Sequence, residues 1–182
     1  MVKRIAVLGP QGVGKSCLIA KYIKKNFFES YLTTMYNEKY IDMYNNIIWD
    51  TPGSLRYQED ALEKISKMSK GYIICFEPSV DTSFHEALTL IDSLKIKNKP
   101  VIMAATKSDI LPFDIKRVWS SEAHVRGWKI IGTSCANNNG ITRVFDEIFK
   151  LVDEEDEIEL GTIQAMSSWL WWWVHNYIYS FE

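Results

Sequence analysis

The chain has few cysteines, no clustered histidines, no excess of either charge and no long apolar run. Its three cysteines, Cys17, Cys75 and Cys135, stand far apart in 182 residues, so no disulfide framework is built into it. Each sits in an apolar or motif-like setting, which reads as reduced core thiols and leads us to expect an intracellular protein. His85, His124 and His175 are scattered without ligand-like spacing, which excludes a histidine metal cage. A formal net charge of −2 gives no reason to expect nucleic acid or an anionic membrane as partner. No apolar stretch approaches the roughly 20 residues needed to span a bilayer. The strand-like pattern Val2–Leu8 opens at once, so no signal peptide is expected. With 47% hydrophobic and 24% charged residues, the balance is that of a soluble globular domain with a short appendage. A chain of this length buries a full core without disulfides or metals.

Short apolar runs alternate with helix-length segments. Ile5–Leu8, Ile47–Trp49, Tyr72–Phe76, Val101–Ala105 and Lys129–Ile131 read as buried strands. Helical patterns cover Lys15–Lys25, Glu59–Ser69, Ser83–Leu94, Ile115–Val125 and Thr142–Asp153. This order predicts an α/β fold, a mostly parallel sheet with helices on both faces. Lys39–Met43 supplies a sixth strand, paired with Ile47–Trp49 across Tyr44–Asn46. So short a connection makes that edge pair antiparallel. The acidic run Asp153–Glu159 ends the regular pattern, and an aromatic tail, Trp169–Phe181, follows. The division expected is therefore a domain over 1–152 and an acidic linker with aromatic tail over 153–182.

Gly9-Pro10-Gln11-Gly12-Val13-Gly14-Lys15-Ser16 matches G-x-x-x-x-G-K-[ST] between a strand and a helix. Glycine lets the backbone wrap phosphates, and successive N–H groups at Gly12, Val13, Gly14, Lys15, Ser16 and Cys17 form an anion nest at the positive end of the helix. Lys15 reaches the β- and γ-phosphates, and the Ser16 hydroxyl binds Mg²⁺. Asp50-Thr51-Pro52-Gly53 follows a strand, so Asp50 can hold Mg²⁺ through water and Gly53 can offer its N–H to a γ-phosphate. Thr106-Lys107-Ser108-Asp109 follows another. A carboxylate at Asp109 accepts from the N1–H and exocyclic amine of guanine, a donor pair that adenine lacks, which argues for GTP over ATP. The backbone of Thr133-Ser134-Cys135-Ala136 is placed to meet the guanine carbonyl.

These four motifs in order resemble the Ras superfamily, closest to its Rab and Ras branches, over about residues 1–152. The resemblance implies a P-loop G domain that binds GTP or GDP with Mg²⁺ and meets effectors and regulators through two switch segments. By the same resemblance, Phe27 falls at the guanine-stacking position, Tyr31 and Thr34 at first-switch spacing, and Thr34 at the Mg²⁺-binding threonine. Ser16, Thr34 and Asp50 form the implied metal set. Thr106, Lys107 and Asp109 match the guanine motif in a Thr-for-Asn form. Ser134, Cys135 and Ala136 match the last loop, with Cys135 replacing the usual Ala and Ala136 the usual Lys.

The departures cluster on hydrolysis. Ser54 stands where the family places a water-orienting glutamine, and its hydroxyl is too short for that job. Gln11 replaces a residue that is normally small. It either crowds the γ-phosphate and an incoming arginine finger or itself points at the nucleophilic water. With Lys15 and Thr34, these residues make up the catalytic set. The expectation is a switch with slow hydrolysis, and the alternative is a hydrolysis-deficient, constitutively GTP-bound interaction module. The tail departs furthest. With no cysteine after Cys135, prenylation is not expected. Trp169–Phe181 is left open between packing on the domain or a second copy, a peripheral membrane contact, and a partner protein. Oligomeric state is likewise left open.

Overall fold

The computed structural model describes residues 2–23, 34–53, 59–96, 98–110 and 117–177, with side chains outside 59, 117–118 and 170–177. Phe27, Tyr31 and Ser54 lie outside the described residues. In chain order the elements are β1 (Arg4–Leu8), α1 (Lys15–Tyr22), β2 (Glu38–Ile41), β3 (Ile47–Asp50), α2 (Glu59–Met68), β4 (Gly71–Phe76), α3 (Ser83–Ser93), β5 (Val101–Ala105), α4 (Arg117–Val125), β6 (Lys129–Gly132) and α5 (Ile141–Tyr177).

The strands form a six-stranded sheet in the order β2-β3-β1-β4-β5-β6. All neighbours are parallel except β2 and β3, as expected for so short a connection. That hairpin is closed by Asp42, whose carboxylate accepts from the Asn46 amide at 2.8 Å and the Tyr44 amide at 2.9 Å. Asn45 supplies the left-handed residue of the turn at φ 66°.

Alternation along the central strands separates two cores. Ile5, Val7, Ile73, Cys75, Ile102 and Ala104 face α1 and α5, where Leu18, Ile19, Val144, Phe145, Ile148 and Val152 are buried. Ala6, Leu8, Ile74, Phe76, Met103 and Ala105 face the other way onto Leu62, Phe84, Ile91 and Trp119. Because both faces of β1, β4 and β5 are covered, these strands read as unbroken apolar runs. Gly71 lets α5 approach closely: a methyl there would lie 2.8 Å from Val152 Cγ2 and 3.2 Å from Ile148.

One expectation is corrected. Regular structure does not stop at the acidic run, for α5 is a single 37-residue helix through Tyr177. Glutamates are good helix formers, and this stretch holds no proline and one interior glycine, Gly161. Asp153 pairs with Lys3 at 2.6 Å, and Asp156 pairs with Lys70. Beyond them every described side chain from Glu157 to Trp169 is exposed, so this stretch does not pack on the domain.

Candidate nucleotide-binding site

The motif residues converge at the C-terminal ends of β1, β3, β5 and β6, where open parallel sheets hold their ligands. The loop after β1 needs its glycines. Gly9, Gly12 and Gly14 have φ of 145°, 79° and 96°. Gly9 also lies on β4, since a methyl there would stand 2.2 Å from the Cys75 carbonyl oxygen. Gly14 caps α1 without a side-chain bond, which leaves the first N–H groups of the helix directed at the loop. Val13 anchors the loop by burying its side chain in the core.

Lys15 is buried, and its ammonium donates to the carbonyls of Gly9 and Pro10, both at 2.9 Å. Burial lowers its pKa, opposed by nearby Cys75 and Asp50. The Ser16 and Thr34 hydroxyls are hydrogen-bonded at 2.8 Å, which joins the phosphate loop to the segment before β2. Beside them, both carboxylate oxygens of Asp50 are buried without a hydrogen-bond partner. Burial raises the Asp50 pKa, while Ser16, Lys15 and the Thr51 amide oppose the rise without satisfying the oxygens. A buried orphan carboxylate next to two hydroxyls is a donor set for a hard divalent cation, so Ser16, Thr34 and Asp50 fit Mg²⁺. Among the described residues no cluster of three or more His, Cys, Asp or Glu offers another metal site.

Thr51 donates to the Val7 carbonyl at 2.7 Å, pinning the turn after β3 to β1. Gly53 then abuts the phosphate loop, where an added methyl would lie 2.3 Å from Gln11 Cα. Gln11 itself is exposed. Gln11, one of the two positions that depart from the hydrolytic pattern, thus makes this backbone contact, and Ser54, the other, lies outside the described residues.

The base-side loops are held rigidly. Thr106 donates from its hydroxyl to the Phe76 carbonyl at 3.0 Å. Lys107, at φ 54°, pairs with Glu77 at 2.6 Å. Asp109 is exposed and accepts from the Ser134 hydroxyl at 2.5 Å, which ties the loop after β5 to the loop after β6. Ser134 Oγ also accepts from the Asn137 amide, and the Ser134 and Asn139 backbones bridge. The Cys135 thiol donates to Cys17, holding Cys17 below the ordinary thiol range and raising Cys135. This contact joins the start of α1 to the base-side loop. Ala136 is exposed at the loop's tip.

Three supporting residues were missed from the sequence: Glu77, Thr51 and Asn139. Glu77 directly follows β4, at the end of the sheet where the motifs gather, but nothing in its local sequence singles it out. A cleft of about 480 Å³ along β6, lined by Ser108, Ile131, Asn139, Gly140 and Arg143 among others, borders the base-side loops through Ser108 and Asn139 and includes no phosphate-loop residue.

Comparison with known proteins agrees with the architecture. The Ras family model matches residues 4–154. The chain is similar to "GTP-binding protein Di-Ras2" of Pongo abelii, 29% identical over 163 residues covering 81% of this chain and 80% of that protein. It is also similar to "GTP-binding protein drn-1" of Caenorhabditis elegans, 30% identical over 171 residues, 81% of this chain and 74% of that protein. A third relative is "GTP-binding protein rhb1" of Schizosaccharomyces pombe, 29% identical over 167 residues, 84% of this chain and 89% of that protein.

Proposed function

Because this chain belongs to the Ras family of small GTPases, we propose that it is an intracellular guanine-nucleotide switch with slow GTP hydrolysis, acting in membrane traffic or signalling. The observation that carries the reading is the Ser16–Thr34 hydroxyl pair beside the orphaned Asp50 carboxylate. It links the phosphate loop to the segment that must change between states. Mg²⁺ bound there supplies positive charge against the phosphates. Ser16 and Thr34 would hold it through their hydroxyls, and Asp50 would hold it through its carboxylate's hydrogen bonds to bound water.

The chain's own residues do the rest. Lys15 exchanges its two carbonyl partners for phosphate oxygens, and the N–H groups from Gly12 to Cys17 stabilise charge on them. Thr34 and Gly53 sense the γ-phosphate and relax when it leaves. Asp109 selects guanine, with Ser134 fixing its carboxylate. No residue of the described site replaces a water-orienting glutamine unless Gln11 does so, which makes turnover slow. Effectors and regulators read the two switch segments.

A second reading, a GTP-bound module that does not turn over, is favoured by Gln11 at the contact with Gly53. Nucleotide released from the freshly purified, denatured protein, with single-turnover hydrolysis of loaded GTP, tests both. Mostly GDP, with measurable cleavage lost in Gln11→Ala, supports the switch. Mostly GTP, with cleavage appearing only in the Gln11→Gly/Ser54→Gln variant, supports the static module. Tighter binding of ATP than GTP would overturn both.

A further inference from the structure

Beyond the domain, α5 carries apolar surface that no described residue covers. Ile158, Leu160, Ile163, Met166 and Trp169 are each more than half exposed. At 3.6 residues per turn they spread over an arc of about 200°. That is too broad for the two-in-seven seam by which one helix pairs with another. It suits a medium that surrounds the helix over much of its girth.

Charge points the same way. From Gly161 to Phe181 there is no Asp, Glu, Lys or Arg. The acidic run stops at Glu159, nearer the domain, where Asp153 and Asp156 are already paired with Lys3 and Lys70. Four of the chain's seven tryptophans, at 169, 171, 172 and 173, fall in this uncharged part. Tryptophan favours the boundary between lipid headgroups and acyl chains. No helix among the described residues is long and apolar enough to cross a membrane. An uncharged helix rich in tryptophan and unable to cross belongs at the interface.

We propose that the distal part of α5, from Ile158 onward, is a peripheral docking surface for the interface of an electrically neutral lipid bilayer. With no cation in the segment, attraction to anionic headgroups contributes nothing, and the acidic run opposes a negative surface. The contact is independent of the nucleotide site, so either reading can fail alone.

The test is flotation of the full chain with phosphatidylcholine vesicles, with and without added phosphatidylserine. The protein should float with phosphatidylcholine alone, with little loss at high salt and weaker binding when phosphatidylserine is added. Tryptophan emission should shift to the blue on binding. Ile163→Ser/Met166→Ser/Trp169→Ser should lower the partition at least about tenfold while retaining guanine nucleotide, which shows an intact domain. Failure of the wild-type chain to float overturns the proposal. So does a vesicle-free dimer that the triple substitution turns into monomer, because the face is then covered by a second copy.

Discussion

An added methyl at Gly53 would stand 2.3 Å from Gln11 Cα and 2.4 Å from its amide nitrogen, both backbone atoms that cannot swing aside. Gly53→Ala must therefore push the turn after β3 off the phosphate loop. We expect it to weaken fluorescent GTP-analogue binding at least about tenfold while changing the GDP analogue far less, because only the γ-phosphate uses that N–H. Equal losses for both in a fluorescence titration would show that Gly53 serves packing alone. Asp109→Asn exchanges a double acceptor for an amide that donates. It should lower GTP affinity by about 10²-fold or more and favour xanthosine triphosphate, whose ring carbonyl replaces the amine. A competition assay between the two nucleotides reads this directly. At this scale the motif residues were legible because glycine, lysine and carboxylate have few substitutes in their tasks. Their supports were not. Glu77 under Lys107 and Thr51 on Val7 are contacts between distant residues, and no local pattern announces them.

The helices differ in how their sequences announce them. α1 and α3 follow their apolar spacing, but the end of α5 was obscured by the acidic run. The run looks like a linker in composition, yet glutamate is compatible with helix, and the lysines that pair with Asp153 and Asp156 belong to β1's approach and the turn before β4. Glu155 in this stretch has a raised pKa, through burial first and then Glu159 and Asp156. A carboxyl raised above its ordinary 4.5 is destabilising once ionised, so its cost grows as pH climbs through that window and is complete above it. Glu155→Gln should thus stabilise the protein at pH 7 by about 0.2–0.5 kcal/mol, with no gain below pH 4.5, as melting temperature across pH will show. Farther back, Phe145 is fully buried and stacks on Tyr22 with ring centroids 3.8 Å apart. Phe145→Ala should cost about 3–5 kcal/mol in urea unfolding, since it opens the seam between α1 and α5.

For the molecule as a whole, alternation of strands and helices made the sheet legible, since parallel strands covered on both faces leave unbroken apolar runs. The strand order and the division into two cores were settled only by long-range pairing, which no window of sequence contains. Ligand and fold should be linked. GTP with Mg²⁺ at about a thousand times its Kd adds about 4 kcal/mol to stability, so melting should rise clearly, and ATP at the same concentration should raise it little. Equal shifts would contradict guanine selection by Asp109. The length of α5 has a mechanical side as well. Its 37 residues make a rod of about 55 Å, clamped where Ile148 and Val152 press on Gly71. From Asp156, the last residue paired with the domain, to Tyr177 the rod runs on for about 32 Å. A tilt of about 5° at the clamp would move its tip by about 3 Å, the geometry of a lever in which a small rearrangement of the sheet would become a larger displacement at the far end.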